Sequence, residues 1–277
     1  MDRLEAFKSL AAEASRGELT FPTNLDATLK LQRALDDPDC DADTAARLVQ
    51  AEPLLAARAV AIANSAAYNR SGNEVTNVRA AVQRVGFRTL NALVAAVIVR
   101  QLDSKITQPA LRAMADQLWR HSTHVAALSQ VIARRITKTD PDTALFAGIV
   151  HEVGSFYLLS RAEEYPGLLD GDPEEWLEYG EVAIGRGVLG KLAVPASVME
   201  AIEAMWHGMR ALPPENLGDI LLLASDLSPV ASPLHVRPGA TSRQSALTLD
   251  FVIGDGSLQS ILDESAEEVR SLSSALL

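Results

Sequence analysis

Ionisable side chains interrupt apolar helical patterns at four positions in this sequence, and these are the first candidates for chemistry. His121 occupies a position on an apolar helical stripe where the spacing predicts a core residue. His151 and Glu152 directly follow one apolar run, and Asp226 ends another. Burying an ionisable group is costly unless it is paired, hydrogen-bonded or bound to a metal ion. We therefore expect these four side chains to find partners inside the protein.

Two arrangements meet that requirement, and the spacing alone does not separate them. In helical bundles, imidazoles and carboxylates from different helices converge on a metal ion. Without an ion, the same groups form a hydrogen-bonded polar network in the core. Two other histidines fit neither arrangement: His124 lies off the apolar stripe and is expected to face solvent, and His235 lies in a proline-rich loop.

Helical spacing of apolar residues recurs along almost the whole chain, as in Leu90–Leu102. Helices must therefore position the four ionisable side chains. Gly86 is expected to end one helix before another begins. The only strand-like segment, Leu247–Ile253, is isolated. An acidic residue precedes proline, as at a helix start, in Glu52-Pro53, Asp140-Pro141 and Asp172-Pro173. The sequence predicts an all-α protein.

We expect these helices to form two packed lobes. Residues 1–105 make an N-terminal lobe and residues 106–228 a second lobe, which carries most of the candidate chemistry. Residues 229–277 are a proline-rich loop followed by a helix predicted over Leu258–Leu276. The breaks between helices are short, and no internal repeat is visible.

Composition excludes several classes of function. The 277 residues carry a formal net charge of −11, which argues against general nucleic-acid binding because that needs a basic surface. The single Cys40 cannot form a disulfide within the chain, which fits a reducing compartment. The longest strongly apolar run, Ala92–Val99, is far shorter than the roughly 20 residues of a membrane span. With no signal peptide at the amino terminus, a cytoplasmic protein without membrane contact is expected.

Two motifs imitate ligand sites. Gly185 to Gly190 spells G-x-G-x-x-G, but it follows a helical pattern rather than a strand, so we expect close helix packing and not nucleotide binding. Asp39, Asp41 and Asp43 resemble the start of a calcium loop that lacks the glycine and glutamate such a loop needs. These carboxylates are expected to charge and cap a helix amino terminus.

An ordered set of short motifs resembles the HDOD (HD-related output domain) family of bacterial signalling proteins, a branch of the HD metal-dependent phosphohydrolases. The resemblance covers roughly residues 18–228, and the second lobe is the HD-like one. The matching motifs, in order, are Asp36-Asp37-Pro38-Asp39, Glu52-Pro53-Leu54-Leu55-Ala56-Ala57-Arg58, Ala63-Asn64-Ser65-Ala66-Ala67-Tyr68, Val85-Gly86-Phe87-Arg88-Thr89-Leu90 and Leu118-Trp119-Arg120-His121-Ser122.

The resemblance implies a metal site formed by His121, His151, Glu152 and Asp226, in a degraded form. Glu152 stands where the superfamily has aspartate, and its extra methylene moves the carboxylate by about 1 Å, whereas metal–ligand distances tolerate about 0.2 Å. Ser155 stands where many active members have a lysine that stabilises phosphate charge. A cofactor is therefore not expected. Manganese, iron or zinc at a weak or vestigial site is the alternative.

The resemblance to the HDOD family, together with the positions that depart from the family pattern, predicts a non-catalytic signal-transduction module that acts through protein–protein contact. No receiver, kinase or cyclase segment is recognisable, so the partner is expected to be a separate signalling protein. Asn64 and Ser65 are candidates for the partner surface, although their side chains would equally serve to close a helix end. Two alternatives stay open: a metal-dependent phosphohydrolase acting on nucleotides or cyclic dinucleotides, and a sensor that binds a small molecule between the lobes.

Overall fold

A computed structural model describes residues 2–20, 25–170, 175–176, 181–208, 211, 213–234 and 257–277. All regular structure among these residues is helical, which confirms the all-α prediction. The strand-like segment Leu247–Ile253, the Asp172-Pro173 helix start and His235 lie outside the described residues. The helices are α1 Arg3–Ser15, α2 Leu25–Leu35, α3 Ala42–Gln50, α4 Pro53–Asn64, α5 Val78–Leu102, α6 Pro109–Arg135, α7 Pro141–Val150, α8 Val153–Arg161, α9 Val182–Lys191, α10 Ala196–Trp206, α11 Leu217–Leu227 and α12 Ser257–Leu276.

Side-chain caps fix several helix starts, and two of them fall where the sequence predicts. The Asp140 carboxylate accepts a hydrogen bond from the Thr143 amide at 2.8 Å, at the start of α7. Asp41, in the segment that imitates a calcium loop, caps α3 through the Thr44 amide at 2.7 Å. Helix α4 does begin at Pro53, but the Glu52 side chain makes no capping hydrogen bond. There the preset backbone of proline is the start signal.

Gly86 divides α5 into two helical segments, as the sequence predicts. Its φ is +77° and its ψ is 170°, so the helical hydrogen-bond ladder is interrupted at this residue. Glycine reaches positive φ without the steric cost that a side chain brings. The break lets the buried segment after Gly86 take its own direction through the core.

The core lies around α7, which packs on both α5 and α6. The described residues bury one continuous apolar cluster that extends from Phe7 in α1 to Leu276 in α12. Helix α1 packs on α9, and Arg161 of α8 reinforces this end of the molecule, because its guanidinium donates to the Tyr157 hydroxyl at 2.8 Å and lies 3.3 Å from a Glu13 carboxylate oxygen. The boundary between the two lobes remains a prediction.

The carboxy-terminal helix α12 begins and ends close to the predicted bounds, and it packs on α6 and α4. Leu272 and Leu276 are fully buried. The Ser271 hydroxyl accepts a hydrogen bond from the Ala66 amide at 3.0 Å, and Glu268 forms an ion pair with Arg134. Helix α12 is therefore part of the core.

Two helical stretches are long and apolar enough to cross a membrane by composition. Within Val78–Leu102 the apolar window is 67% buried inside the fold, and within Pro141–Arg161 it is 83% buried. Most of each apolar window is thus already covered within the fold. These stretches are therefore interior elements of the helical fold.

Candidate metal centre

Three of the four predicted metal ligands come together in the structure. His121 lies in α6, and His151 and Glu152 form the turn between α7 and α8. One ligand atom of each residue lies within 4.8 Å of the others. The Nε2 atoms of His121 and His151 are 3.7 and 3.9 Å from the same carboxylate oxygen, Glu152 Oε1. We call these three residues the His–His–Glu cluster.

A close approach of two helices brings the cluster together. A Cβ atom placed on Gly148 of α7 would lie 2.4 Å from the Cα atom of Ala126 in α6, so only glycine allows this spacing. Gly148 lies one turn before His151, and Ala126 lies little more than one turn after His121. The separation of the two imidazoles is thus set by backbone contact, and their ring centres are 5.5 Å apart.

Backbone hydrogen bonds determine which ring nitrogen faces the carboxylate. The Nδ1 atom of His121 lies 2.7 Å from the Val230 carbonyl oxygen, and the Nδ1 atom of His151 lies 2.8 Å from the Gly148 carbonyl oxygen. A carbonyl oxygen can only accept, so each Nδ1 carries the proton. In the neutral rings the Nε2 atoms then hold the lone pairs. This is the tautomer that binds metal ions through Nε2 with a backbone carbonyl as outer partner.

The donor set suits a first-row transition metal in both chemistry and spacing. Zinc, iron and manganese accept imidazole nitrogen together with carboxylate oxygen. Two ligand atoms bound at about 2.1 Å to one ion lie about 3.0–3.4 Å apart. The observed separations of 3.7 and 3.9 Å would have to contract by a few tenths of an ångström. All three ligand atoms lie within 4.8 Å of one another, so the residues fit an ion as three ligands once the side chains close around it, and an ion held there would act as a Lewis acid.

The cluster has ligand atoms that suit a metal ion, but its three side chains are almost completely buried. His121 is 2% exposed, and His151 and Glu152 are each 4% exposed. A catalytic metal keeps one coordination position open for water or substrate. Here the three side chains have almost no exposed surface, and the Val230 carbonyl contacts His121.

The remaining predicted or related positions do not join the cluster. Asp226 is half-buried at the end of α11 and is not part of the group within 4.8 Å of one another, so its role as a ligand remains a prediction. His124 is half-buried rather than fully exposed and lies 2.8 Å from the Arg120 carbonyl oxygen. A further histidine of the chain, His207, is exposed at the end of α10. Ser155, where a lysine would stabilise phosphate, is 2% exposed.

The partner-surface candidates both make hydrogen bonds inside the chain. The Asn64 amide donates to the Val75 carbonyl at 2.7 Å and accepts from the Val75 amide at 2.8 Å, which clamps the following loop onto the end of α4. The Ser65 side chain is 3% exposed and donates to the Ile62 carbonyl at 2.7 Å. Both residues thus close a helix end, and recognition of a partner through them remains a prediction.

The G-x-G-x-x-G motif lies within α9 and two of its glycines serve helix packing. A Cβ on Gly185 would lie 2.8 Å from the Trp206 ring, and one on Gly187 would lie 2.8 Å from the Ala14 Cβ. Nothing lies within 4 Å of a Cβ on Gly190. The first two glycines therefore allow α10 and α1 to approach α9, which supports the packing interpretation.

A buried arginine was missed by the sequence reasoning. Arg58 of α4 is 7% exposed, and its guanidinium carbon lies 5.7 Å from the centre of the Trp119 ring. Its Nη1 atom has no hydrogen-bond partner among the described residues. Burial, together with the positive charge of Arg100, lowers the pKa of Arg58 to about 10. The spacing of apolar residues could have predicted this burial, because Arg58 lies three residues after Leu55 and four before Ile62, on the apolar face of α4.

Comparison with known proteins agrees with this fold. The family model of the HDOD domain matches residues 21–206. A candidate metal-dependent phosphohydrolase from Shewanella amazonensis SB2B superposes over 100% of both chains, with a TM-score of 0.78 and 22% sequence identity. An HDOD domain protein of unknown function from Geobacter sulfurreducens covers 99% of each chain, with a TM-score of 0.63 and 21% identity.

A candidate signal transduction protein from Marinobacter aquaeolei VT8 covers 99% of this chain and 66% of its own, with a TM-score of 0.62 and 16% identity. None of the functionally curated proteins matches the chain. At these identities the solved structures establish the fold and leave the activity open. The family model covers most of the chain and the helical architecture agrees with it, so this protein belongs to the HDOD family, which is related to the HD phosphohydrolase superfamily.

Proposed function

We propose that this protein is a non-catalytic regulatory module of the HDOD family, which acts in bacterial signal transduction through contact with a partner protein. The burial of the His–His–Glu cluster carries the proposal. Its three side chains are at most 4% exposed, so little of their surface is open to contact with a phosphorylated substrate in the folded state. A hydrolase needs that contact in every turnover.

Further departures from an active site support the same proposal. Glu152 replaces the aspartate of the superfamily, and Ser155 replaces a cation that would stabilise developing phosphate charge. The net charge of −11 also disfavours the collection of anionic nucleotides. The cluster then serves the fold: two imidazoles and a carboxylate join α6 to the α7–α8 turn through buried polar contacts. We also propose that the protein acts in the cytoplasm.

Chemical crosslinking in the native host, followed by affinity capture of the tagged chain at several salt concentrations, tests the proposal. We expect at least one signalling protein to be captured in near-stoichiometric amount. An acidic surface favours a basic contact face on the partner, so the yield should fall as salt rises. Recovery of background proteins alone at every salt concentration would contradict the proposal.

A metal-dependent phosphohydrolase is the second candidate, and one observation favours it. Both Nδ1 atoms are committed to carbonyl oxygens, which leaves the Nε2 atoms in the form that binds metal. Metal analysis of protein purified without chelator separates the candidates. About one equivalent of manganese, iron or zinc that is lost in His151→Ala would favour the hydrolase. Less than about a tenth of an equivalent would exclude it, since metal catalysis needs an occupied site.

A further inference from the structure

A cavity of about 330 Å³ lies apart from the His–His–Glu cluster, between helices of the two predicted lobes. One wall comes from α2 and α5, and the other from α7 and the start of α10. Its size is near the lower limit of sites that hold small ligands. The lining residues are Gln32, Asp36, Arg88, Asn91, Asp142, Thr143, Phe146, Ala193, Pro195, Ser197 and Val198.

The charge lining this cavity is unbalanced. Asp36 and Asp142 supply two carboxylates, and neither has a cationic partner within 4 Å among the described residues. Asp36 accepts from the Asn91 amide at 2.6 Å, and Asp142 accepts from the Tyr68 hydroxyl at 2.8 Å, so both take up neutral donors only. Arg88 is the one cation in the described lining, and its guanidinium lies 2.6 Å from Asp140. A negative charge thus remains available in the cavity.

Two acceptor oxygens in the same wall support this view independently. Gln32 is 6% exposed, and its amide nitrogen donates to the Leu192 carbonyl at 3.2 Å. This bond distinguishes the nitrogen end of the amide from the oxygen end, and Gln32 Oε1 is buried without a hydrogen-bond partner among the described residues. Asn91 Oδ1 is in the same situation. An unsatisfied buried acceptor costs about 1–3 kcal/mol, which a ligand with N–H donors would relieve.

We propose that this cavity binds a small organic cation that carries several N–H donors, such as an amine or a guanidino compound. The carboxylates of Asp36 and Asp142 would face its charge, and rotation of the Gln32 and Asn91 amides towards the cavity, in exchange for their present hydrogen bonds, would bring the two buried oxygens to its N–H groups. Phe146 and Val198 supply apolar surface for the methylene chain of such a ligand. Because the site joins the two predicted lobes, its occupation would restrain their relative position. This proposal does not depend on whether the protein acts through a partner.

Isothermal titration calorimetry of the purified chain with agmatine, which has one guanidinium and one ammonium group, tests the proposal. We expect saturable binding with a dissociation constant below about 1 mM. Asp36→Asn should weaken binding by about 5-fold, because it removes one facing charge at a solvent-accessible site. Asp39→Asn is the matched control, since Asp39 is an exposed carboxylate three residues away that does not line the cavity. It should bind agmatine as the parent protein does.

The direction in which a second substitution changes the affinity separates cation binding from anion binding. Arg88→Gln removes the one cation among the described lining residues, so agmatine should bind about 2-fold more tightly. Guanosine monophosphate serves as the anionic probe and should not bind. Binding of the nucleotide that is lost in Arg88→Gln would overturn the proposal, and so would absence of agmatine binding or equal affinity in Asp36→Asn and the parent protein. Circular dichroism of each variant verifies that it is folded.

Discussion

The close contact between α6 and α7 makes a strong prediction about Gly148. In Gly148→Ala, the new Cβ would lie 2.4 Å from the Ala126 Cα and 2.8 Å from the Ala126 amide nitrogen. Non-bonded carbon atoms rest at about 3.5–4.0 Å. Both obstructing atoms belong to the backbone of a helix, so no side-chain rotation removes the clash. The two helices would have to separate by about 1 Å.

Overpacking of this kind costs about 1–3 kcal/mol, and we expect the upper end of that range because the obstacle is backbone. A loss of about 3 kcal/mol corresponds to a Tm lower by about 5 °C for a chain of this size. Urea denaturation and calorimetry of the same sample would measure both quantities. The helix movement also shifts His151, whose Nδ1 bonds to the Gly148 carbonyl, so any affinity for zinc should fall by about 10-fold.

Gly190→Ala is the matched control for this experiment. Gly190 lies in α9, and nothing is within 4 Å of a Cβ placed there. Alanine should therefore stabilise the protein by up to about 1 kcal/mol through helix propensity alone. If Gly148→Ala were as stable as the parent protein, the close approach that positions the His–His–Glu cluster would be refuted.

The remaining predictions concern three other positions, each measured by urea denaturation. Asn64→Ala should lose about 1–2 kcal/mol because two hydrogen bonds to the Val75 backbone disappear, whereas Asn73→Ala, in the exposed part of the same loop, should be neutral. Retained stability with lost partner capture in Asn64→Ala would instead favour a recognition role. Arg58→Met should be neutral or stabilise by about 1–2 kcal/mol, because it removes a buried guanidinium that forms no ion pair within the described part of the chain. A large loss would mean that Arg58 has an undetected partner. Ala193→Gly should stabilise by about 1 kcal/mol, because the φ of residue 193 is +51°; a destabilised variant would speak against this backbone geometry.

The fold was predictable from local signals because the helices follow from apolar spacing and from their terminal residues. The Asp140 cap and the proline at the start of α4 mark helix starts in the sequence itself. Gly86 marks the break within α5. Such signals concern neighbours along the chain, so a single sequence carries them in full.

The candidate site was predictable in part. His121, His151 and Glu152 could be selected because each breaks an apolar pattern, and the structure brings them together. Asp226 also interrupts an apolar pattern, but only the packing of α11 decides whether its carboxylate comes near the His–His–Glu cluster. The close approach at Gly148 could not be predicted either, since a glycine in a helix shows no sign of what lies opposite. Contacts between distant segments, such as the walls of the cavity, have no signature in local spacing.

The most direct test of a non-catalytic HDOD module is a hydrolysis assay that includes its own measurement of metal content. Protein purified without chelator is loaded with Mn²⁺, Fe²⁺ or Zn²⁺, and its turnover of a cyclic dinucleotide and of bis(p-nitrophenyl) phosphate is compared with that of His151→Ala. Burial of the His–His–Glu cluster predicts the same background turnover for both proteins, even in samples that contain metal. Metal-dependent hydrolysis by the parent protein that disappears in His151→Ala would contradict this account.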